Sequence, residues 1–81
     1  MRFVRWEREA IDDLLAIPDP AVAAIVDRAV NQFASAGQGF VRRVTSADAP
    51  DDLRLYVVGA PYCVRLRFDR EAVYVWRVVR S

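Results

Sequence analysis

Between Leu53 and Arg80 the chain alternates apolar and polar positions in three runs: LRLYVV, YCVRLRFD and AVYVWRVVR. Gly59-Ala60-Pro61 and Asp69-Arg70-Glu71 separate them. A period of two sends successive side chains to opposite faces, so three strands joined by two tight turns are expected. In the first, Leu53, Leu55 and Val57 share one face, and Arg54, Tyr56 and Val58 the other. In the second, Tyr62, Val64, Leu66 and Phe68 form an apolar row opposite Cys63, Arg65 and Arg67. In the third, burying the large aromatics puts Tyr74, Trp76 and Val78 inside and Val73, Val75 and Arg77 outside, an assignment that a bulge would reverse. One face of the sheet is therefore buried, and the other is a platform of arginines.

Met1–Trp6 (MRFVRW) reads as a further short strand, with Phe3 opposite Val4 and Trp6. From Glu7 the period lengthens. Ala10, Ile11, Leu14 and Leu15 sit at helical spacing, with Glu7, Glu9, Asp12 and Asp13 on the remaining surface as solvated acids. Pro18 ends this helix near Ile17. Asp19-Pro20 supplies an N-cap and a first-turn proline for a second helix, whose stripe is Val22, Ile25, Val26, Ala29, Val30 and Phe33. Gly37 is its stop. So short a connection folds the helices back as a hairpin covering the apolar sheet face. Gln38 to Asp52 is expected to be irregular, with FVRRVT (40–45) as its strand-like piece and Asp51-Asp52 as solvated loop. The fold class is α+β in the order β-α-α-β-β-β: a helical hairpin on one face of a twisted antiparallel sheet.

A length of 81 residues allows one domain, 1–81, of modest stability. The 54% hydrophobic and 28% charged fractions are those of a folded chain. No apolar run is long enough to span a membrane, and acids interrupt the N-terminal stretch where an export signal needs an apolar core. With a single cysteine, this leads to the expectation of a cytoplasmic protein that neither enters a membrane nor uses an internal disulfide.

The net charge of +1 conceals an asymmetry. Residues 1–40 carry four arginines against six acids, and residues 41–81 carry eight against five. All twelve basic residues are arginine, as a GC-rich coding bias produces. Without histidine there is no imidazole triad or metal site, and one cysteine builds no thiolate zinc site. The three glycines form no phosphate loop, so no cofactor or metal is expected. What remains is the outer face: Arg54, Tyr56, Arg65, Arg67, Arg77 and, at the end, Arg80. Guanidinium groups with an aromatic among them suit a phosphate backbone and a stacked base. The same arginines would also keep an exposed sheet soluble. Cys63 reads as a small residue filling a pleat.

The element order, together with LRLYVVGAPYCVRLRFDREAVYVWRVVR, resembles the RelE/ParE toxin superfamily: a basic strand, a turn, a Tyr-Arg-rich strand, an acidic turn and a last strand. The resemblance runs along nearly the whole chain and implies the toxin of a bacterial type II toxin–antitoxin pair, held inactive by a cognate antitoxin whose extended segment wraps it. RelE-like members cut mRNA on the ribosome, whereas ParE-like members inhibit DNA gyrase without cutting RNA. Carried over, it implies catalytic roles for Arg65, Arg67, Arg77 and Tyr56 and RNA contacts for Arg54 and Arg80. Cys63 stands where the family's arginine follows the strand-opening tyrosine, here Tyr62. Arg65, two residues on, is displaced by about 7 Å along the strand. The set is incomplete for RNA cleavage, which also needs a proton acceptor and help to the leaving oxygen. Three readings stay open: an mRNA interferase, a gyrase-inhibiting toxin, and a degenerate antitoxin-binding module.

Overall fold

A computed structural model describes residues 1–43 and 53–81. The elements are β1 (Phe3–Trp6), α1 (Arg8–Leu15), α2 (Pro20–Ala36), β2 (Phe40–Arg43), β3 (Leu53–Tyr56), β4 (Tyr62–Phe68) and β5 (Ala72–Arg80). Helix α2 begins and ends where its capping chemistry places it. The Asp19 carboxylate accepts the Ala21 N–H at 2.9 Å, Pro20 opens the first turn, and Gly37 closes the helix at φ 68°. From that left-handed position the Gly37 N–H donates to the Phe33 carbonyl at 2.9 Å.

The strands form one sheet in the order β1-β5-β4-β3-β2. Strands β2 to β5 are antiparallel to their neighbours, but β1 joins the outer side of β5 in parallel, with Val4 beside Val73 and Trp6 beside Val75. The sheet is thus mixed rather than wholly antiparallel. The helical hairpin brings the chain back in the direction opposite to β1, and three further reversals leave β5 running with β1. Of the strand-like FVRRVT piece, Phe40–Arg43 is the edge strand β2. The rest of that expectation, including Asp51-Asp52, lies outside the described residues.

The core forms where α2 covers the inner face. Val26, Val30, Phe33 and Ala34 of the helix meet Leu55, Val64, Leu66, Val73, Val75 and Val78 of the strands. Each valine or leucine fully buried this way contributes about 1.5–3 kcal/mol. Phe33 meets Phe68 edge-on at 5.5 Å between ring centroids. Helix α1 contributes less than its stripe suggests: Ala10 is buried, but Ile11 and Leu15 are exposed. Its eight residues pack mainly against β5, a contact too narrow for the full stripe.

The inner face of β5 also differs from expectation. Val73 and Val75 are buried rather than Tyr74 and Trp76, while Val78 is buried as expected. A bulge causes this. Arg65 is opposite Arg77 but Leu66 is opposite Val75, so Trp76 is an extra residue without a partner in β4. The insertion lets Val75 and Val78 face the same way although three positions separate them. Near the opposite end, the Asp69 carboxylate accepts the N–H groups of Glu71 (2.8 Å) and Ala72 (2.9 Å), fixing the β4–β5 turn.

Gly37→Ala should cost about 1 kcal/mol by forcing an alanine into the left-handed region. Gly39→Ala should cost more, roughly 2 kcal/mol or above. It adds a Cβ 2.6 Å from the buried Leu55 Cδ1 at a backbone φ of 140°. Urea unfolding of the two variants checks the order.

Candidate functional site

Strand register assembles the open face. Arg42, Arg54, Arg65 and Arg77 are successive cross-strand partners on β2, β3, β4 and β5. At about 4.8 Å per strand they form a row roughly 14 Å long, running across the strands. Phe40, Tyr56, Cys63 and Val79 form the next row on one side. On the other side Arg67 is opposite Tyr74, which neighbours Arg5 of β1. No carboxylate occupies this face of the strands among the described residues. Like charges placed directly across from one another destabilise a sheet, and Asp13 offsets this at the Arg77 end of the row.

Trp76 organises one end. The bulge turns its ring outward, where the Arg65 Cζ lies 4.9 Å and the Arg67 Cζ 5.2 Å from the ring centroid. The indole N–H is buried without a hydrogen-bond partner. Beside it opens a cavity of about 310 Å³ lined by Glu7, Glu9, Arg67, Tyr74, Trp76 and Arg77. A second cavity, of about 380 Å³, lies between α2 and the β2–β3 edge, with Arg28, Gln32, Phe40 and Tyr56 in its lining. Tyr74 donates to Asp69 at 3.2 Å, and the Asp69 charge together with that bond raises its pKa. A phenol held in that way is a poor proton acceptor.

Of the residues singled out from sequence, Arg54, Tyr56, Arg65 and Arg67 share the open face; the first three are half-buried and Arg67 is exposed. Arg77 opposes Arg65 in register, but its guanidinium is engaged elsewhere. Its Nε donates to Asp13 Oδ2 at 2.7 Å and its terminal nitrogen to Oδ1 at 3.1 Å. The same carboxylate accepts the Val78 N–H at 3.0 Å, where β1 has ended and the β5 edge is uncovered. Arg80 is not on the open face. It pairs with Tyr62 on the helix-side parity, its Cζ 5.5 Å from that ring. Cys63 is 1% exposed, so its thiol fills the sheet instead of lining a site.

Three residues of this arrangement were not expected in it: Arg42 had no assignment, Trp76 was placed on the buried face, and Asp13 was read as a solvated acid. Arg42 continues the row, and the alternation of Phe40 and Arg42 in FVRR was a signal for it. Trp76 faces out because of the bulge, which the spacing of Val73, Val75 and Val78 encodes weakly. Asp13 looks like a solvated helix acid, and nothing local indicates a partner 64 residues away.

No family model matches the sequence, and no curated protein matches it. By structure, the chain shares its fold with a chain of the chromosomal ParDE TA system from P. aeruginosa, at a TM-score of 0.74 and 20% sequence identity. The likeness covers 99% of this chain and 96% of that one.

The Asp13 pKa is lowered from the usual 3.8, first by the hydrogen bond from Arg77, against the opposing effect of burial. A depressed folded pKa means the stabilisation is complete above the unfolded value and fades as pH falls through the folded one. The stability advantage of wild type over Asp13→Asn should therefore be constant above that range and shrink below pH 3.8. Urea melts across acid pH measure it.

Proposed function

We propose that this protein is the toxin of a type II toxin–antitoxin pair that disables its target by binding, as ParE-like toxins do, and does not cut RNA itself. The fold it shares with a ParDE chain over nearly the full length of both supports the toxin assignment. The observation that carries the non-cutting mode is the Asp13–Arg77 pair at 2.7 Å. It commits one of the expected catalytic cations to holding α1 on β5. Burial of Cys63, where the family's arginine would stand, points the same way. Tyr56 alone would then have to move the proton, with arginines that stay charged around it. A DNA gyrase target and a cognate antitoxin follow from the resemblance and form part of the proposal.

The row Arg42–Arg54–Arg65 beside Tyr56 favours the second reading, a ribosome-dependent mRNA interferase with RNA laid along the arginines. Induced expression followed by mapping of mRNA ends, alongside a gyrase supercoiling assay, separates the two. The expected result is growth arrest and inhibited supercoiling without new mRNA ends. Cleavage at ribosome-bound codons would transfer the assignment to the interferase. In either case the Arg65→Ala/Arg67→Ala double variant should weaken target engagement by about tenfold or more, and growth assays read the relief.

A further inference from the structure

We propose that copies of this chain associate head to tail, with helix α1 of one docked in the groove that wraps the β2–β3 edge of the next. The inference stands apart from the toxin reading, because both halves of the contact are surfaces of this chain. The cavity of about 380 Å³ between α2 and the β2–β3 edge and a further one of about 410 Å³ along β2 share Gly39, Phe40 and Tyr56, so they join around the edge of the sheet. Ile25 and Ala29 of α2 and the buried Leu55 of β3 line the helix end. Gly39 lets the chain pass close over Leu55: at its φ of 140° a Cβ would lie 2.6 Å from Leu55 Cδ1. Beyond it Phe40 is 69% exposed, and Val58, in the same lining, is 74% exposed. Scattered exposed apolar side chains need no explanation, but two around a hollow that reaches the core mark a docking site. Its charges are Arg28 and Arg42, and no acid lines it among the described residues.

The other edge of the sheet carries the complement. Helix α1 buries Ala10 and turns Asp13 to Arg77 and Val78 of β5. At about 100° per residue, Ile11 and Leu15 then point away from β5, and they are 41% and 77% exposed. Around them Glu7, Glu9 and Asp12 are exposed against one exposed base, Arg8. One surface is apolar with arginines and the other apolar with an excess of acids, so each supplies what the other lacks. Two grooves brought face to face would set Arg28 and Arg42 against their own copies, and two α1 helices would set most of their acids together. Because α1 lies along β5 where β1 ends, while the groove is at β2, the strand order β1-β5-β4-β3-β2 keeps the two surfaces on opposite sides. One copy cannot satisfy itself. An eight-residue helix is about 12 Å long, so the contact is small and its dissociation constant falls at about 10 µM to 1 mM.

Sedimentation equilibrium of the full chain across that concentration range tests the contact. The weight-average mass should rise with concentration and pass the dimer value, because a head-to-tail contact leaves a free helix at one end and a free groove at the other. Leu15→Arg removes the helix side and Phe40→Ser the groove side, and each alone should weaken association by at least about tenfold. Mixed in equal amounts, the two variants should form a dimer and nothing larger, since the intact helix of one meets the intact groove of the other. Both side chains are exposed, so the folds should survive, and thermal unfolding checks each variant. Arg28→Glu serves as the groove variant should Phe40→Ser unfold. Wild-type association in Leu15→Arg would mean that groove meets groove, and in Phe40→Ser that helix meets helix; either overturns the proposal. So does a wild type that stays monomeric throughout the range, or a mixture of the two variants that does.

Discussion

One inserted residue in β5 sets the two faces of this molecule. Up to Val75 the strand alternates with its partner, and beyond Trp76 it alternates again in the opposite phase. Without the shift, Val78 would turn out of the core and the arginine opposite Arg65 would change place with a tryptophan. The bulge lets β5 bury valines under the helices at both ends and still present Trp76 to solvent. A one-residue slip reverses every side chain beyond it, so the core fixes the position of the bulge.

The inner face then tolerates what the outer face costs. Four arginines align across adjacent strands, and the buried indole N–H of Trp76 lies beside them without a hydrogen-bond partner. The aromatic and apolar residues between them, Tyr56, Cys63, Tyr74 and Val79, give the face a partly buried floor. Asp13 relieves the row at one end by drawing Arg77 toward α1, and it satisfies an open backbone N–H in the same contact. That contact is a structural tie made with a residue type that elsewhere would serve a site.

Much of the fold was legible because its signals are local. Asp19-Pro20 and Gly37 bracket α2 as capping chemistry requires, and the alternation of β3 and β4 placed Leu55, Val64 and Leu66 inside and Arg54, Arg65 and Arg67 outside. What escaped depends on pairs distant in sequence. The parallel docking of β1 follows from the count of chain reversals, not from MRFVRW. The inward face of β5 hinged on a register shift against β4, and size was a poor guide to which side chains it buries. The Asp13–Arg77 tie joins residues 64 apart. Arg80, grouped with the platform by its charge, shares the parity of Val78 and so falls on the helix side.

The side chains of the open face rest on a sheet paired through most of its length. Whether that surface exists as described depends on the β4–β5 register. Nuclear Overhauser contacts between backbone protons of the two strands read that register directly. The account predicts contacts pairing Arg65 with Arg77 and Leu66 with Val75, with Trp76 lacking a partner. Contacts pairing Leu66 with Trp76, and continuing in regular alternation, would contradict it.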